Sequence, residues 1–239
     1  MGFAVDGFAS AVTPNGASNT ASLGVALTTS NACVVWAAVY NLGFFKHSAA
    51  PSVLTDTSGQ SLLWVQAAGV IADSSNHGYL ELWYAKTKAP FSGVTITATF
   101  ATATETAAII AWGVDGIGNT VLDPSGSLPI QAQLTSNSQT ESFTTNNAND
   151  VGFFVVGFNG VQPTLGAGWT QLATINQPTN DNYNTFLLVG YQTFTSPQAS
   201  LSVAITTTGG SSQSGAVLAH AAMAAITSAT RAQNVLVGF

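Results

Sequence analysis

The sequence predicts an all-β protein: a two-sheet antiparallel sandwich built from two pseudo-repeats of about five strands, forming a single β-sandwich domain over residues 1–239. Three observations predict it. Short runs of β-branched and aromatic residues recur between clusters of Gly, Pro, Asn, Asp and Ser. No long window carries a 3.6-residue apolar period opened by a capping box. The polar stretch "TTSNA" before "CVVWAAVYN", beginning at residue 28, returns as "TTNNA" before "NDVGFFVVGFN", beginning at residue 144.

Taken in order, the expected strands are 21–27, 34–40, 62–67, 79–85, 94–100 and 107–113 in the first half, then 151–158, 170–175, 185–193, 201–207 and 216–226 in the second. "VTITATFATA" alternates with period two, as a half-buried strand does. "IIAWGV" and "FFVVGF" are apolar throughout, which suits central strands covered on both faces. The alanine-rich "AVLAHAAMAAITSAT" has the composition of a helix, but its place in the repeat makes it a strand.

The halves correspond segment by segment. "VLTDTSGQSLLWVQ" matches "TLGAGWTQLATI", and "GYLELWYAKTKAPFSGVTITATF" matches "NTFLLVGYQTFTSPQASLSVAIT", with Pro90 and Pro197 at equivalent turns. "TAAIIAWGV" corresponds to "SGAVLAHAAM". Pseudo-repeat one is thus placed at 21–113, a connection at 114–143, and pseudo-repeat two at 144–226. A half of this kind cannot cover its own apolar face, so the two are expected to close one sandwich over a shared core. The connection, rich in Gly, Pro, Ser and Thr, is expected to cross the top or edge of the sandwich. The apolar ends, "MGFAVDGFASAV" and a C-terminal arm at 227–239 ending in "RAQNVLVGF", are expected to reach a neighbour by strand addition.

Composition narrows the function. Charged residues are only 6% of the chain, against roughly 25% in an ordinary soluble domain, while hydrophobic residues are 46% and mean hydropathy is +0.31. The longest apolar runs fall short of the roughly 18–20 residues of a membrane-spanning helix. The surface must then be solvated by neutral groups or covered by neighbouring subunits, and coverage is the expectation. A net charge of -6, with three Lys and the single Arg231, supplies no basic patch for nucleic acid or an anionic membrane. The one cysteine, Cys33, cannot form an internal disulfide and reads as a small core residue. The N-terminus lacks the charged and apolar regions of a secretory signal, and no N-x-[ST] sequon occurs, so synthesis in a cytoplasm without export processing is expected.

Residues able to carry chemistry are sparse. A glycosidase needs two carboxylates facing each other. Glu81 is the best candidate for an acid of raised pKa, but it is expected to point outward from a strand whose Leu80, Leu82 and Tyr84 face in. Asp56 in "TDTSG" and Asp123 in "LDPSG" fit Asx-turns. His47, His77 and His220 are too scattered for a metal centre, and no G-x-S-x-G elbow, C-x-x-C, H-E-x-x-H or P-loop occurs. "NNAND" and "TNDNY", with Asp150 and Asp181, offer oxygens but not the spacing of a calcium loop, so a turn without an ion is expected. No catalytic residue, metal or cofactor is therefore assigned.

Trp36, Trp64, Trp83 and Trp112 lie in apolar strands and are expected to pack. Trp169 follows a glycine turn and is a candidate for exposure, although its counterpart near Trp64 points to a repeated core role. Phe44 and Phe45 in "GFFKHSAAP" read as interface anchors. The candidate interface residues are Phe3, Phe8, Phe44, Phe45, Trp169, Val235, Leu236 and Phe239.

The order "TTSNACVVWAAVYN", "LTDTSGQSLLW", "YLELWYAK", "AWGVDGIGNTVLDPSGSLP", "TTNNANDVGFF" and "GAGWTQL" resembles a group of jelly-roll-like structural proteins of tailed bacteriophages and prophages, over most of residues 21–223. These motifs are turn and core positions and imply no catalytic residue. The first repeat departs from the pattern, with "NACVV" in place of an Asn-Asp pair. The resemblance implies a non-enzymatic virion protein, foremost a capsid decoration or cement subunit. Its partners would be copies of itself, as a homo-oligomer, and other virion proteins such as the major capsid protein. It would reside in the virion after assembly in the host cytoplasm. The alternative is a tail fibre or spike module binding a host cell-surface glycan. A jelly-roll polysaccharide-degrading enzyme would need a carboxylate facing Glu81.

Overall fold

The computed structural model describes residues 3–13, 20–42, 52–72, 78–104, 106–134, 138–159, 163–178, 184–206 and 215–224. Within them the chain runs through β1 (Ala4–Val12), β2 (Thr20–Leu27), β3 (Val34–Leu42), β4 (Ser52–Asp56), β5 (Val65–Ile71), β6 (Gly78–Lys86), β7 (Val94–Thr104), β8 (Thr106–Asp115) and β9 (Ile117–Leu122). It continues through β10 (Ile130–Gln133), β11 (Ser138–Phe143), β12 (Asp150–Asn159), β13 (Thr164–Leu165), β14 (Thr170–Pro178), β15 (Asn184–Thr193), β16 (Leu201–Thr206) and β17 (Gly215–Ala224).

The protein is all-β, and the ladders joining these strands are antiparallel. The first eight strands make a five-stranded sheet, β1-β8-β3-β6-β5, and a three-stranded sheet, β2-β7-β4. The second half repeats both orders, as β10-β17-β12-β15-β14 and β11-β16-β13. Adding nine to each label of the first half gives the second, and β9 is the extra strand, pairing with β17. The order 1-8-3-6 facing 2-7-4 is jelly-roll winding, with the fifth strand held on the larger sheet by its pairing to the sixth.

The expected two-sheet sandwich is thereby refined to four sheets. A strand that is apolar on both sides needs a layer over each, and β3 is buried at every position. Its Val35, Ala37 and Val39 meet Val25, Leu54 and Ile96 of the small sheet. Its Trp36, Ala38 and Tyr40 meet Phe153, Val155, Leu187 and Val189 of the other repeat. The other face of β12, with Phe154 and Val156, packs on Val203 and Ile205. The layers run small sheet, large sheet, large sheet, small sheet. Each repeat closes its own sandwich, and the two large sheets share a third, central core.

Aromatic rings concentrate in that central layer. Trp36 and Trp112 stack with centroids 6.3 Å apart, and Phe153 lies 5.0 Å and 5.4 Å from them across the repeat boundary. Truncating one such ring to alanine costs about 3–5 kcal/mol. The buried Thr106 and Thr185 hydroxyls add a polar link between repeats at 3.0 Å.

Two segment assignments are corrected. Residues 4–12, expected as a free arm, form β1 and pair with β8 from Ala4↔Asp115 to Val12↔Ala108, interrupted by a bulge between Val5 and Phe8. The segment 114–143, expected as a connection, folds into β9, β10 and β11. Each repeat therefore has eight strands rather than about five. The alanine-rich segment is a strand, β17, as its repeat position required. The C-terminal arm at 227–239 lies outside the described residues.

Candidate functional site

Strand register makes each repeat an internal control for the other. Trp36 faces Tyr84 and Trp112, while Phe153 faces Tyr191 and His220. Counting from these pairs, Cys33 corresponds to Asp150, Glu81 to Leu188, and Trp112 to His220. A polar group standing where the sister repeat has an apolar one is not required by the fold, so it marks a place to look for function.

Glu81 is such a group, and its expected outward orientation is corrected: it is fully buried. Leu80 and Leu82 fill the central core, while Glu81 faces the core of its own repeat, where Leu188 stands in the second. Its oxygens accept from the Ser52 N–H at 2.9 Å, the Ser52 hydroxyl at 2.7 Å and the Gln66 amide at 3.1 Å. Burial pushes its pKa up to about 7, although the Ser52 hydrogen bonds pull the other way. Enclosed as it is, Glu81 acts as a buried polar tie between β4, β5 and β6.

A second cluster lies at one end of β12 and β17. The Asp123 carboxylate receives N–H groups from Ser125 at 2.7 Å, Asn146 at 2.9 Å and Asn147 at 3.1 Å, and the Asn147 amide at 3.0 Å. Asp6 does the same in the first repeat, where Ser30 and Asn31 donate to it. Each "TTxNA" loop is thus wrapped around a carboxylate from earlier in the chain, Asp6 on β1 and Asp123 just after β9. The loop containing "NNAND" turns N–H groups inward, so it is a nest for an anion that the chain itself provides. Asp181 lies outside the described residues.

Asp150, at the position of Cys33, is wholly buried, and neither oxygen has a donor within hydrogen-bond reach. Its neighbour is another acceptor, Asp123, and two acceptors form a hydrogen bond only when one carries a proton. Burial, then the hydrogen bond and charge of Asp123, push Asp150 up to about 8, so at neutral pH it is the proton donor of the pair. Burial alone would raise Asp123, but the Asp150 carboxyl and the Ser125 and Asn147 groups outweigh it and hold Asp123 below its ordinary value. Burial also brings His220 down to about 4, although its backbone contact with Ala221, whose N–H and carbonyl O lie 2.9 Å and 3.2 Å from Nδ1, pulls the other way. With Asp123, Asp150 and His220 all buried, the cluster stores a proton without presenting it to solvent. Among the described residues no three His, Cys, Asp or Glu side chains converge to hold a metal.

The tryptophans pack as the repeat predicts. Trp64 and Trp169 each stand one residue before equivalent strands, β5 and β14. Trp64 donates to Asp56 at 3.0 Å. Trp169 is 9% exposed, lies 5.6 Å from Phe154 and points its N–H at Ser202 O, so its proposed place on an outer interface is corrected to a core role. Asp56 and Asp123 form the expected Asx-turns, accepting from Ser58 and Ser125. Phe3 packs on the central core, and Phe8 is 56% exposed on β1. Phe44, Phe45, Val235, Leu236 and Phe239 lie outside the described residues. The exposed Val53 and Ile71 escaped sequence reasoning because β4 was not recognised and β5 was placed three residues early.

No family model matches the chain, and no curated protein matches it. Two structures of Bacillus subtilis oxalate decarboxylase, one a point mutant, are similar to it at 9% and 8% identity. They cover 92% and 87% of this chain and 73% and 69% of their own, with TM-scores of 0.22 and 0.21. Likeness at that level carries no argument about fold or activity.

Proposed function

We propose that the protein is a non-enzymatic structural subunit that assembles edge to edge, foremost a capsid decoration or cement protein of a tailed bacteriophage. The observation that carries the proposal is where three of the four exposed large apolar side chains among the described residues sit. Phe8 is 56% exposed on β1, Val53 62% on β4 and Ile71 37% on β5, and among the described residues each of these strands is the edge of a sheet. Soluble proteins commonly protect such edges with charge or proline. Apolar side chains beside unpaired backbone groups suit permanent pairing with a neighbour. Charge depletion supports the same role: Glu81, Asp123 and Asp150 are buried, and Asp6 and Asp56 accept internal donors, leaving the outside more neutral than the composition suggests. Burial of Trp169 removes one support for the glycan-binding alternative.

The test is immunogold labelling of purified particles, paired with light scattering on the isolated chain. Label spread over the shell and a solution oligomer dispersed by Phe8→Lys with Val53→Lys are expected. Label confined to the tail tip would transfer the protein to host recognition, and a monomer with no label on particles would overturn both.

A further inference from the structure

The chain has three lysines and one arginine. Two of the lysines, Lys86 and Lys88, line one cavity of about 600 Å³. Its walls come from the turn before β5, the end of β6 and β9, and include Leu63, Tyr84 and Leu122. The volume is in the range of small-molecule sites, which combine apolar walls with a few placed polar groups. Among the described residues, Leu63, at 79%, is more exposed than the other large apolar side chains that reach solvent. Ser61, also in the wall, holds φ at 52°, a left-handed conformation that costs a non-glycine residue energy and recurs at ligand clamps.

The repeat comparison separates this arrangement from the needs of the fold. Tyr84 has its counterpart in Tyr191, but Lys86 and Lys88 correspond to Thr193 and Thr195. The two ammonium groups are specific to the first repeat. Lys86 donates to Asn119 O and Lys88 to Gln60 O, which places them at the cavity while leaving each with further N–H donors.

We propose that this cavity binds a small amphipathic anion, an apolar chain bearing one carboxylate, with the chain against Leu63, Tyr84 and Leu122 and the carboxylate between Lys86 and Lys88. The inference is independent of the assembly role. In a chain this poor in charge, two cations beside an apolar wall complement such a ligand, and a neutral analogue would forgo the charge-assisted hydrogen bonds.

The test compares decanoate with decan-1-ol by titration calorimetry on the full chain. We expect decanoate to bind about tenfold more tightly, as one retained charged hydrogen bond provides. The double variant Lys86→Gln/Lys88→Gln should lose that preference, and Lys86→Arg/Lys88→Arg should keep it, with thermal melts confirming that each is folded. Equal affinity for acid and alcohol, binding of neither, or an undiminished preference in the folded glutamine variant would overturn the proposal. If the glutamine variant does not fold, Leu63→Asp decides in its place: weaker decanoate binding supports the site, and unchanged binding overturns it.

Discussion

Tyr40 of the first repeat lies against the bare Cα of Gly157 of the second. A Cβ built at residue 157 would sit 2.5 Å from the Tyr40 ring, and Tyr40 is fully buried with no room to retreat. Gly157→Ala should therefore destabilise the protein by about 1–3 kcal/mol through overpacking. Gly126, with nothing within 4 Å of an added Cβ, is the control, and Gly126→Ala should stay within about 0.5 kcal/mol of the parent. Urea melts of the two variants decide this, and equal midpoints would remove the close contact from the account.

Stability should fall as pH rises toward 8. The folded chain keeps protons on Asp150 up to about 8 and on Glu81 up to about 7, whereas the unfolded chain releases them near 3.8 and 4.5. Between those limits the folded state binds more protons, so both groups lower stability with rising pH. His220 works in the other direction from about 4 to 6.5, since only the unfolded ring is protonated there. Two carboxyls against one imidazole leave a net of about one proton from 4.5 to 6.5; above 6.5 the imidazole no longer compensates, and each uncompensated proton lowers stability by ~1.4 kcal/mol per pH unit. The urea midpoint should be higher at pH 5 than at pH 8.

Asp150→Asn tests the assigned proton. An amide donates to Asp123 at every pH, as the protonated acid does only below its pKa. The variant should match the parent at pH 5 and exceed it at pH 8. A variant less stable than the parent at pH 8 would show that Asp150 is charged in the folded protein.

Glu81→Gln keeps acceptor and shape, so it should fold and lose the part of the pH dependence that runs from 4.5 to about 7. Glu81→Leu copies the sister residue Leu188 but leaves the buried Ser52 N–H and hydroxyl without their acceptor, at a cost of about 1–3 kcal/mol. Thermal melts of the pair separate the carboxylate's charge from its hydrogen bonding.

Asp123→Ala should cost more than Asp6→Ala. Asp123 is buried and gathers donors from three residues, whereas the backbone groups that Asp6 holds are open to water. Hydrogen exchange at the Asn146 and Asn147 amides would rise in the first variant, and an unchanged rate would contradict the cap.

The parts of the fold legible in the sequence were those with both faces apolar or a clean alternation: β3, β8, β12 and β7 declared their surroundings directly. The equivalence of Trp64 with Trp169, and of Pro90 with Pro197, followed from local spacing alone. β1 did not, because its partner β8 lies about a hundred residues away and a short apolar segment looks the same paired or free. β10 and β11, "IQAQ" and "SQTESF", carry polar outer faces that read as linker. The buried state of Glu81 depends on the small sheet containing β4, and that of Asp150 on Asp123 arriving from another segment, so neither was visible from its own neighbourhood. "AKTKAP" did carry a signal for the cavity, since it holds two of the chain's three lysines, one at the end of β6 and one just beyond it.

The central aromatic layer has a consequence for synthesis. All eight strands of the first jelly roll are complete by residue 115, so a nascent chain can finish that unit while the ribosome is still translating its sister. Until then Trp36, Trp112 and Tyr40 have no cover. The interval before the second unit emerges is the chain's most hazardous moment, when two half-made copies on one polysome can mate with each other through the side meant for self-closure.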